Sequence, residues 1–391
     1  MMNFDNIVDF GDFVAENIKQ FLPAEMQDLN FNFLEVQKAN GISLYGLEAI
    51  NTETNLSPNV YLNGAFDDVT AGKLDPIAAV KQLAGSFGDA YLNPSVRGFN
   101  LDSLNDFEVI KAKIMPELVN LDRSIDFLNN KPHDIVGDLA KIYKINLVTT
   151  DLSKASITVT NELLDFWGVS KDTLDQVAME NLSFESFQFQ SLPSFLAKVM
   201  GISEEEMNIF FPLMDPTAPP IYVLTNEKAD HGAIGIINRP IMDKISAELG
   251  SDLVVLPSSI HEVLVLPFNF NEKTKDINVF KDMVKEVNAS EVSVEEFLSD
   301  NVYVYDAKEH ELMFGEKYVD RLHMKENARD FENLDQKTIN VIMGDGRPAG
   351  SLISELNSNI DLSNSSGSTK DINKDVIGSS AKKHDDTPIG G

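Results

Sequence analysis

Apolar residues recur at near-helical spacing at the start of the chain, where Ile7, Phe10, Val14, Ile18 and Phe21 predict a helix over about residues 4–22. The pattern then changes to short runs with strand character, Phe31–Val36, Ile42–Ile50 and Asn59–Leu62. These are broken by Asn40-Gly41, a hairpin turn signal, and by Pro58. Asp75 is placed to cap a helix whose first turn holds Pro76, and Ile77, Val80, Ala84, Phe87 and Tyr91 share one of its faces. Residues 30–92 therefore read as a small antiparallel β-meander covered by a helix.

Phe107–Met115 fits a helix or a strand, whereas Lys141–Val148 and Ser156–Thr160 read as strands. Residues 160–211 read as mostly helical. One helix stops at Gly168, Ser170 caps the next, and Ser203-Glu204-Glu205-Glu206 is a capping box. Phe184, Phe187, Phe189, Phe195, Phe210 and Phe211 read mainly as core, with an apolar groove for a ligand or partner helix as the second reading. Trp167, the sole tryptophan, reads as packed inside.

The densest pattern lies in residues 221–267, after a cluster formed by Pro212, Pro216, Pro219 and Pro220. Ile221–Leu224 and Ala233–Ile237 flank a polar turn at Lys228–Gly232. A helix follows between Pro240 and Gly250, and Leu253–Leu256 and Val263–Leu266 then enclose a second polar turn. That is a ββαββ unit. A helix through Ile277, Phe280, Val284 and Val287, a capping box at Ser293–Glu296 and a last strand at Val302–Tyr305 complete the pattern. It fades beyond about Arg329, and after Asn357 the composition predicts disorder.

The expected fold class is α+β. An N-terminal antiparallel β-meander with helices (1–150) precedes a helical middle (151–215), a C-terminal ββαββ unit plus helices (216–320) and a mostly disordered tail (330–391). Residues 1 to about 320 as one composite domain is the other arrangement, because the proline cluster is too short to prove a free linker.

Charge narrows the partners. The chain of 391 residues carries 62 acidic and 32 basic side chains, a net charge of −30. Such a surface repels phosphate backbones and anionic lipid, so neither nucleic acid nor a membrane is an expected partner. The absence of cysteine removes disulfides, zinc–thiolate sites, iron–sulfur clusters and cysteine nucleophiles. The N-terminus is acidic where a signal peptide is basic, and no run is long enough to span a bilayer, so the expected compartment is cytoplasmic.

Two constellations carry chemistry. His261 and Glu262 stand beside Ser258 and Ser259, and a histidine that reaches both a hydroxyl and a carboxylate activates a nucleophile or moves protons. In the competing reading the serines bond turn backbone and His261 orders the loop. Asp230 and His231, on the other polar turn, join His261 and Glu262 as divalent-metal candidates if the two turns meet. The helical His-Glu-x-x-His pattern is absent, since position 265 is Val. Gly344-Asp345-Gly346-Arg347-Pro348-Ala349-Gly350 departs from a phosphate loop in its third glycine and in Pro348, and reads as a turn. No P-loop, nucleophile elbow or calcium loop occurs. Gly390-Gly391 ends the chain without a compact β-grasp body before it.

Several short motifs agree in order and spacing with a known group. They are Asn40-Gly41-Ile42-Ser43-Leu44, Leu56-Ser57-Pro58 with Tyr61-Leu62, Asn130-Lys131-Pro132-His133, Tyr222-Val223-Leu224-Thr225-Asn226, and Leu256-Pro257-Ser258-Ser259-Ile260-His261-Glu262-Val263. Val287-Asn288-Ala289 and Leu298-Ser299-Asp300 through Tyr303 follow. Through them the chain resembles, from about residue 5 to about 315, an uncharacterised domain-of-unknown-function family of cytoplasmic proteins from anaerobic Gram-positive (Firmicutes) bacteria. More distantly, Val159–Leu182 and the spacing from Gly232-Ala233 to Pro257-Ser258 resemble a second uncharacterised bacterial family. Neither resemblance implies an activity, a cofactor or catalytic residues. The expected function is a non-catalytic binding or accessory protein with a protein partner and no cofactor. The alternative is a hydrolase-type enzyme using His261 and Glu262 with Ser258, Ser259 or a bound divalent metal.

Overall fold

The computed structural model describes residues 4–50, 59–92, 101–150, 153–210, 219–268 and 276–344. The tail expected to be disordered after Asn357, the turn after Gly344 and part of the proline cluster lie outside the described residues. The chain divides into two compact units, Met1–Arg321 and Leu322–Gly391. The described strands pair only in antiparallel fashion and alternate with helices, so the class is α+β. No helix among the described residues is long and apolar enough to cross a membrane.

The first sheet has the order β1-β2-β3, from strands Asn30–Gln37, Ser43–Ile50 and Asn59–Tyr61. Asn40 and Gly41 turn the first hairpin with φ of 60° and 70°, the left-handed region that this residue pair tolerates best. The Asn6 side chain caps helix Ile7–Asn17, whose buried Phe10 and Val14 pack with Leu47, Val80 and Phe87. Asp75 caps helix Pro76–Leu92 through the amides of Ile77 and Ala78.

The second sheet is built on β6 (Leu139–Thr150). β4 (Ile114–Asn120) pairs along one edge, and β5 (Asp134–Val136) and β7 (Ser153–Thr158) share the other. The ambiguous segment Phe107–Met115 does both things in turn: helix Phe107–Ile110 and a 3₁₀ turn lead into β4 at Ile114.

The third sheet has the order β13-β12-β10-β11-β9-β8. Its strands are Phe187–Ser191 (β8), Tyr222–Asn226 (β9), Leu253–Leu256 (β10), Glu262–Pro267 (β11), Tyr303–Asp306 (β12) and Glu311–Phe314 (β13). It corrects the expected ββαββ unit in one place. Ala233–Ile237 is no strand but lies in a 3₁₀ helix, Gly232–Ile237, buried from Gly232 to Ile236. The reason is topological. β9 already pairs with β8 on one side and β11 on the other, so no edge remains for a hairpin partner. One of those partners, β8, comes from the middle that reads as mostly helical, which the five residues Phe187–Ser191 interrupt.

Further along, the Ser293–Glu296 box keeps its amide-to-hydroxyl bond at 3.3 Å but starts no helix; residues 294–296 form a turn that ends in a bridge from Phe297 to Ser259. β13 follows the expected last strand, and helix Gly315–Gly344 continues past the point where the apolar pattern fades. Leu118 and Leu139 of the second sheet join Leu224, Val255, Val263 and Tyr303 of the third in one core. This shared core sets the two sheets against each other.

Candidate functional site

Both polar turns of the central unit lie at one end of the paired strands β9 and β11. Asn226 clamps the first of them: its Oδ1 accepts the Asp230 amide at 3.0 Å, and its Nδ2 donates to the Asp230 carbonyl at 2.7 Å. The clamp holds Ala229 and His231 at φ 49° and 53°, a conformation that residues bearing a Cβ rarely adopt. Gly232 follows because a Cβ there would overlap the Asn226 amide and the Thr225 hydroxyl. Thr225 Oγ1 donates to the His261 carbonyl at 2.8 Å, and the Ala233 amide donates to the Ile260 carbonyl at 3.2 Å. The two turns are thereby stitched together.

The stitching brings the His231 and His261 rings to 5.4 Å between centroids, edge to face. Asp230 Oδ1 lies 3.0 Å from His231 Nδ1 and 3.6 Å from His261 Nδ1. The His231 backbone amide donates to His261 Nδ1 at 3.2 Å. On the far side of each ring stands a carboxylate. His231 Nε2 faces Glu117 Oε2 at 3.7 Å, and His261 Nε2 faces Glu296 Oε1 at 3.6 Å. Glu117, on β4, pairs in turn with Lys144 of β6 at 2.5 Å.

Asp230, His231 and His261 thus converge, each offering a ligand atom within 4.8 Å of the others. Glu262 is not part of that group. Burial pushes its carboxyl above the ordinary range, with His261 and Ser259 pulling in the opposite direction. Ser259 is buried, and its hydroxyl accepts the His261 amide two residues on, at 3.0 Å. Ser258 acts through its backbone carbonyl, which accepts the Leu298 amide at 3.0 Å. Among the described residues, no serine hydroxyl is hydrogen-bonded to either imidazole. The structure therefore brings together three of the four metal candidates, Asp230, His231 and His261, and leaves Glu262 and the serines outside.

Beside the trio, and sharing His231 with it, opens a cavity of about 460 Å³. Its walls come from the β1–β2 hairpin (Lys38, Asn40, Ile42), from β4 and β6 (Glu117, Val119, Ile142, Lys144) and from β7 (Ser156, Thr158). Lys131 adds a third ammonium. Burial pushes that ammonium below its usual range, the charge of Lys38 adds to the effect, and Glu162 opposes it. Asn40 is 7% exposed, and its Nδ2 donates to the carbonyls of Val294 and Phe297 at 2.9 and 2.8 Å. Its Oδ1 is buried with no partner. Sequence reasoning assigns chemistry to His231 alone among these wall residues, and takes Asn40 only as a turn residue, because the contributing segments are far apart in the chain.

A second cavity, of about 410 Å³, borders β8 and is lined by Phe187, Phe189 and Leu224. Those two phenylalanines pack partly against the shared core, but Phe184 is 80% exposed, against the expectation that it is core. Trp167 is partly buried against Phe107, with its indole N–H on the Leu104 carbonyl at 2.7 Å.

No curated protein and no solved structure matches the chain. Residues 7–307, most of its length, match one family, so the chain belongs to the family of unknown function DUF5688.

Proposed function

We propose that this chain is a non-catalytic binding protein of the cytoplasm of a Gram-positive anaerobe, accessory to a protein partner, and that it takes one small ligand in the 460 Å³ cavity. The observation that carries this reading is the cavity lining, which sets the ammonium groups of Lys38 and Lys131 beside the apolar side chains of Val119 and Ile142. Lys38 and Lys131 favour a negatively charged head, and Val119 and Ile142 an apolar body. The exposed side chains of Phe184, Val199 and Met200 are where apolar contacts with a partner would fall.

Against a serine hydrolase stand the hydroxyl of Ser259, which serves the turn, and the His261 ring, which is hydrogen-bonded to no serine among the described residues. A probe with the required chemistry is 1-anilinonaphthalene-8-sulfonate, which joins a sulfonate to apolar rings. The full chain should enhance its fluorescence at one saturable site. Ser156→Trp, which fills the cavity from an exposed wall position, should weaken that site at least tenfold with near-UV dichroism unchanged. Equal binding by parent and variant would remove the cavity from the reading. Hydrolysis of p-nitrophenyl acetate that His261→Ala abolishes would replace it with the hydrolase.

A further inference from the structure

We infer that Asp230, His231 and His261 form a binding site for a first-row divalent transition-metal ion of the Zn²⁺ type, independent of the cavity ligand. The first support is the donor set. Two imidazoles and one carboxylate suit Zn²⁺, Co²⁺, Ni²⁺ or Fe²⁺ and not Mg²⁺ or Ca²⁺, which prefer all-oxygen shells. Two ligands each about 2.0–2.1 Å from a tetrahedral ion lie roughly 3.4 Å apart. Asp230 Oδ1 stands at 3.0 and 3.6 Å from the two Nδ1 atoms.

The second support lies outside the trio. A metal-bound histidine commonly turns its other ring nitrogen to a carboxylate, which fixes the ring and raises its basicity. Here both rings do so. With His231 Nδ1 hydrogen-bonded to Asp230 and His261 Nδ1 3.6 Å from it, His231 Nε2 faces Glu117 and His261 Nε2 faces Glu296, at 3.7 and 3.6 Å. Lys144 pairs with the same Glu117 oxygen that faces His231. A turn that merely needed ordering would not require a carboxylate behind each ring. Asp230, Glu117 and Glu296 also outnumber the ammonium of Lys144, the one paired with any of them in a salt bridge among the described residues, which favours a dication.

The third support is the backbone. His231 and Ala229 are held at positive φ, a cost found where a functional geometry is imposed. That geometry points the His231 amide at His261 Nδ1, which keeps this nitrogen free of a proton, its lone pair turned toward Asp230 and His231. The ion takes that lone pair in place of the amide, and His231 releases its Nδ1 proton to solvent. Three protein ligands then leave a fourth position for water.

The test uses the full chain, stripped with chelator and titrated with Co²⁺ and with Zn²⁺. One equivalent of Co²⁺ should produce visible d–d bands, and one equivalent of Zn²⁺ should abolish them. Asp230→Asn preserves shape and should weaken Zn²⁺ binding at least tenfold, as should His231→Ala. Glu117→Gln should weaken it by about 10–100-fold while leaving the Co²⁺ spectrum in place. His384→Ala, elsewhere in the chain, should change nothing. Fluorescence of the naphthalene sulfonate probe should be the same in Asp230→Asn as in the parent, which separates this site from the cavity. Absence of one-to-one binding at micromolar Zn²⁺, or binding that Asp230→Asn and His231→Ala both leave intact, overturns the proposal. If His231→Ala fails to fold, Asp230→Asn and Glu117→Gln decide.

Discussion

The Tyr303 hydroxyl donates to the Asp138 carboxylate at 2.5 Å and accepts the Asp138 amide at 3.0 Å, linking β12 to the β5–β6 turn across 165 residues of chain. Ser299 and Asn301 donate to the other carboxylate oxygen at 2.8 and 2.9 Å. Gly137, at φ 66°, lies so close over Tyr303 that a Cβ there would overlap the phenol. Glu117 and Lys144 sit on the sheet of that turn, and His261 precedes β11 in the sheet of Tyr303. The junction at Asp138 therefore helps set the distance between Glu117 and His231.

Tyr303→Phe should lower stability by about 1–3 kcal/mol, since it leaves the buried side of Asp138 short of a donor and its amide without an acceptor. Gly137→Ala combines positive φ with overlap and should cost at least about 2 kcal/mol. Urea melts of both variants measure this. A Gly137→Ala chain as stable as the parent would show that the two sheets are not held there.

A second junction predicts how stability depends on acid. Lys141, only 10% exposed, sits between Asp134 and Asp175, Lys171 pairs with Asp134, and the Tyr143 hydroxyl reaches Asp134 at 2.8 Å and Asp175 at 3.0 Å. Burial alone would raise the Asp134 carboxyl. The hydrogen bonds from Lys171 and Tyr143 and the charges of Lys141 and Lys171 outweigh burial and hold it at about 2. A carboxyl depressed in the folded state contributes stability that is complete above its unfolded value of about 3.9 and is lost as pH falls through about 2. Melts of the parent between pH 5 and pH 2 should therefore show a decline that Asp134→Asn flattens. Parallel curves would rule out this carboxyl as the source.

Lys141→Met tests the same cluster at neutral pH. It leaves Asp134 and Asp175 facing each other without the ammonium between them, and should cost about 2–4 kcal/mol. A loss below about 0.5 kcal/mol would mean that Lys171 and solvent screen both carboxylates unaided.

Much of the fold is legible because caps and turns are local. Asp75 with Pro76, Gly168 with Ser170, and Ser203 with Glu206 each act within a few residues, and each does so here. The Phe-Gln-Phe-Gln-Ser alternation of β8 is also visible, but five residues between helices carry too little pattern to outweigh their surroundings. Ala233–Ile237 fails for another reason: a short, uniformly apolar run has no period, and only the occupied edges of β9 decide against a strand. Asp230, His231 and His261 can be named together because they sit on turns at the same end of neighbouring strands. Glu117, Lys144 and Glu296 cannot, since each comes from a separate element and no spacing links them to the histidines.

The net charge of −30 predicts that the full chain binds duplex DNA no better than background at moderate salt. Lys38, Lys131 and Lys144 do not change this, because they line a cavity of about 460 Å³ that no duplex enters. A mobility-shift titration at two salt concentrations decides. Tight binding that weakens steeply with salt would require a basic face elsewhere on the chain.

His261→Ala is the substitution on which the site readings meet. Its Nδ1 is the acceptor of the His231 amide, and its Nε2 faces Glu296. Removing the ring leaves that amide short of its acceptor while His231 is still held at φ 53°, so chelator-treated protein should lose about 1–2 kcal/mol of stability. With Zn²⁺ present the gap between parent and variant should widen, because an ion that binds only the folded parent adds its binding free energy to the parent alone. Glu262→Ala serves as the reference. It lies outside the converging trio, and its half-buried carboxyl is pushed upward by burial, so its loss should not depend on the metal. The measurement is six denaturant melts, of the parent and both variants, each with and without Zn²⁺. If His261→Ala is as stable as the parent in chelator, the ring does not order the turn and the activated-histidine reading moves ahead. If the gap is real but the same with Zn²⁺, His261 orders the turn without serving as a ligand.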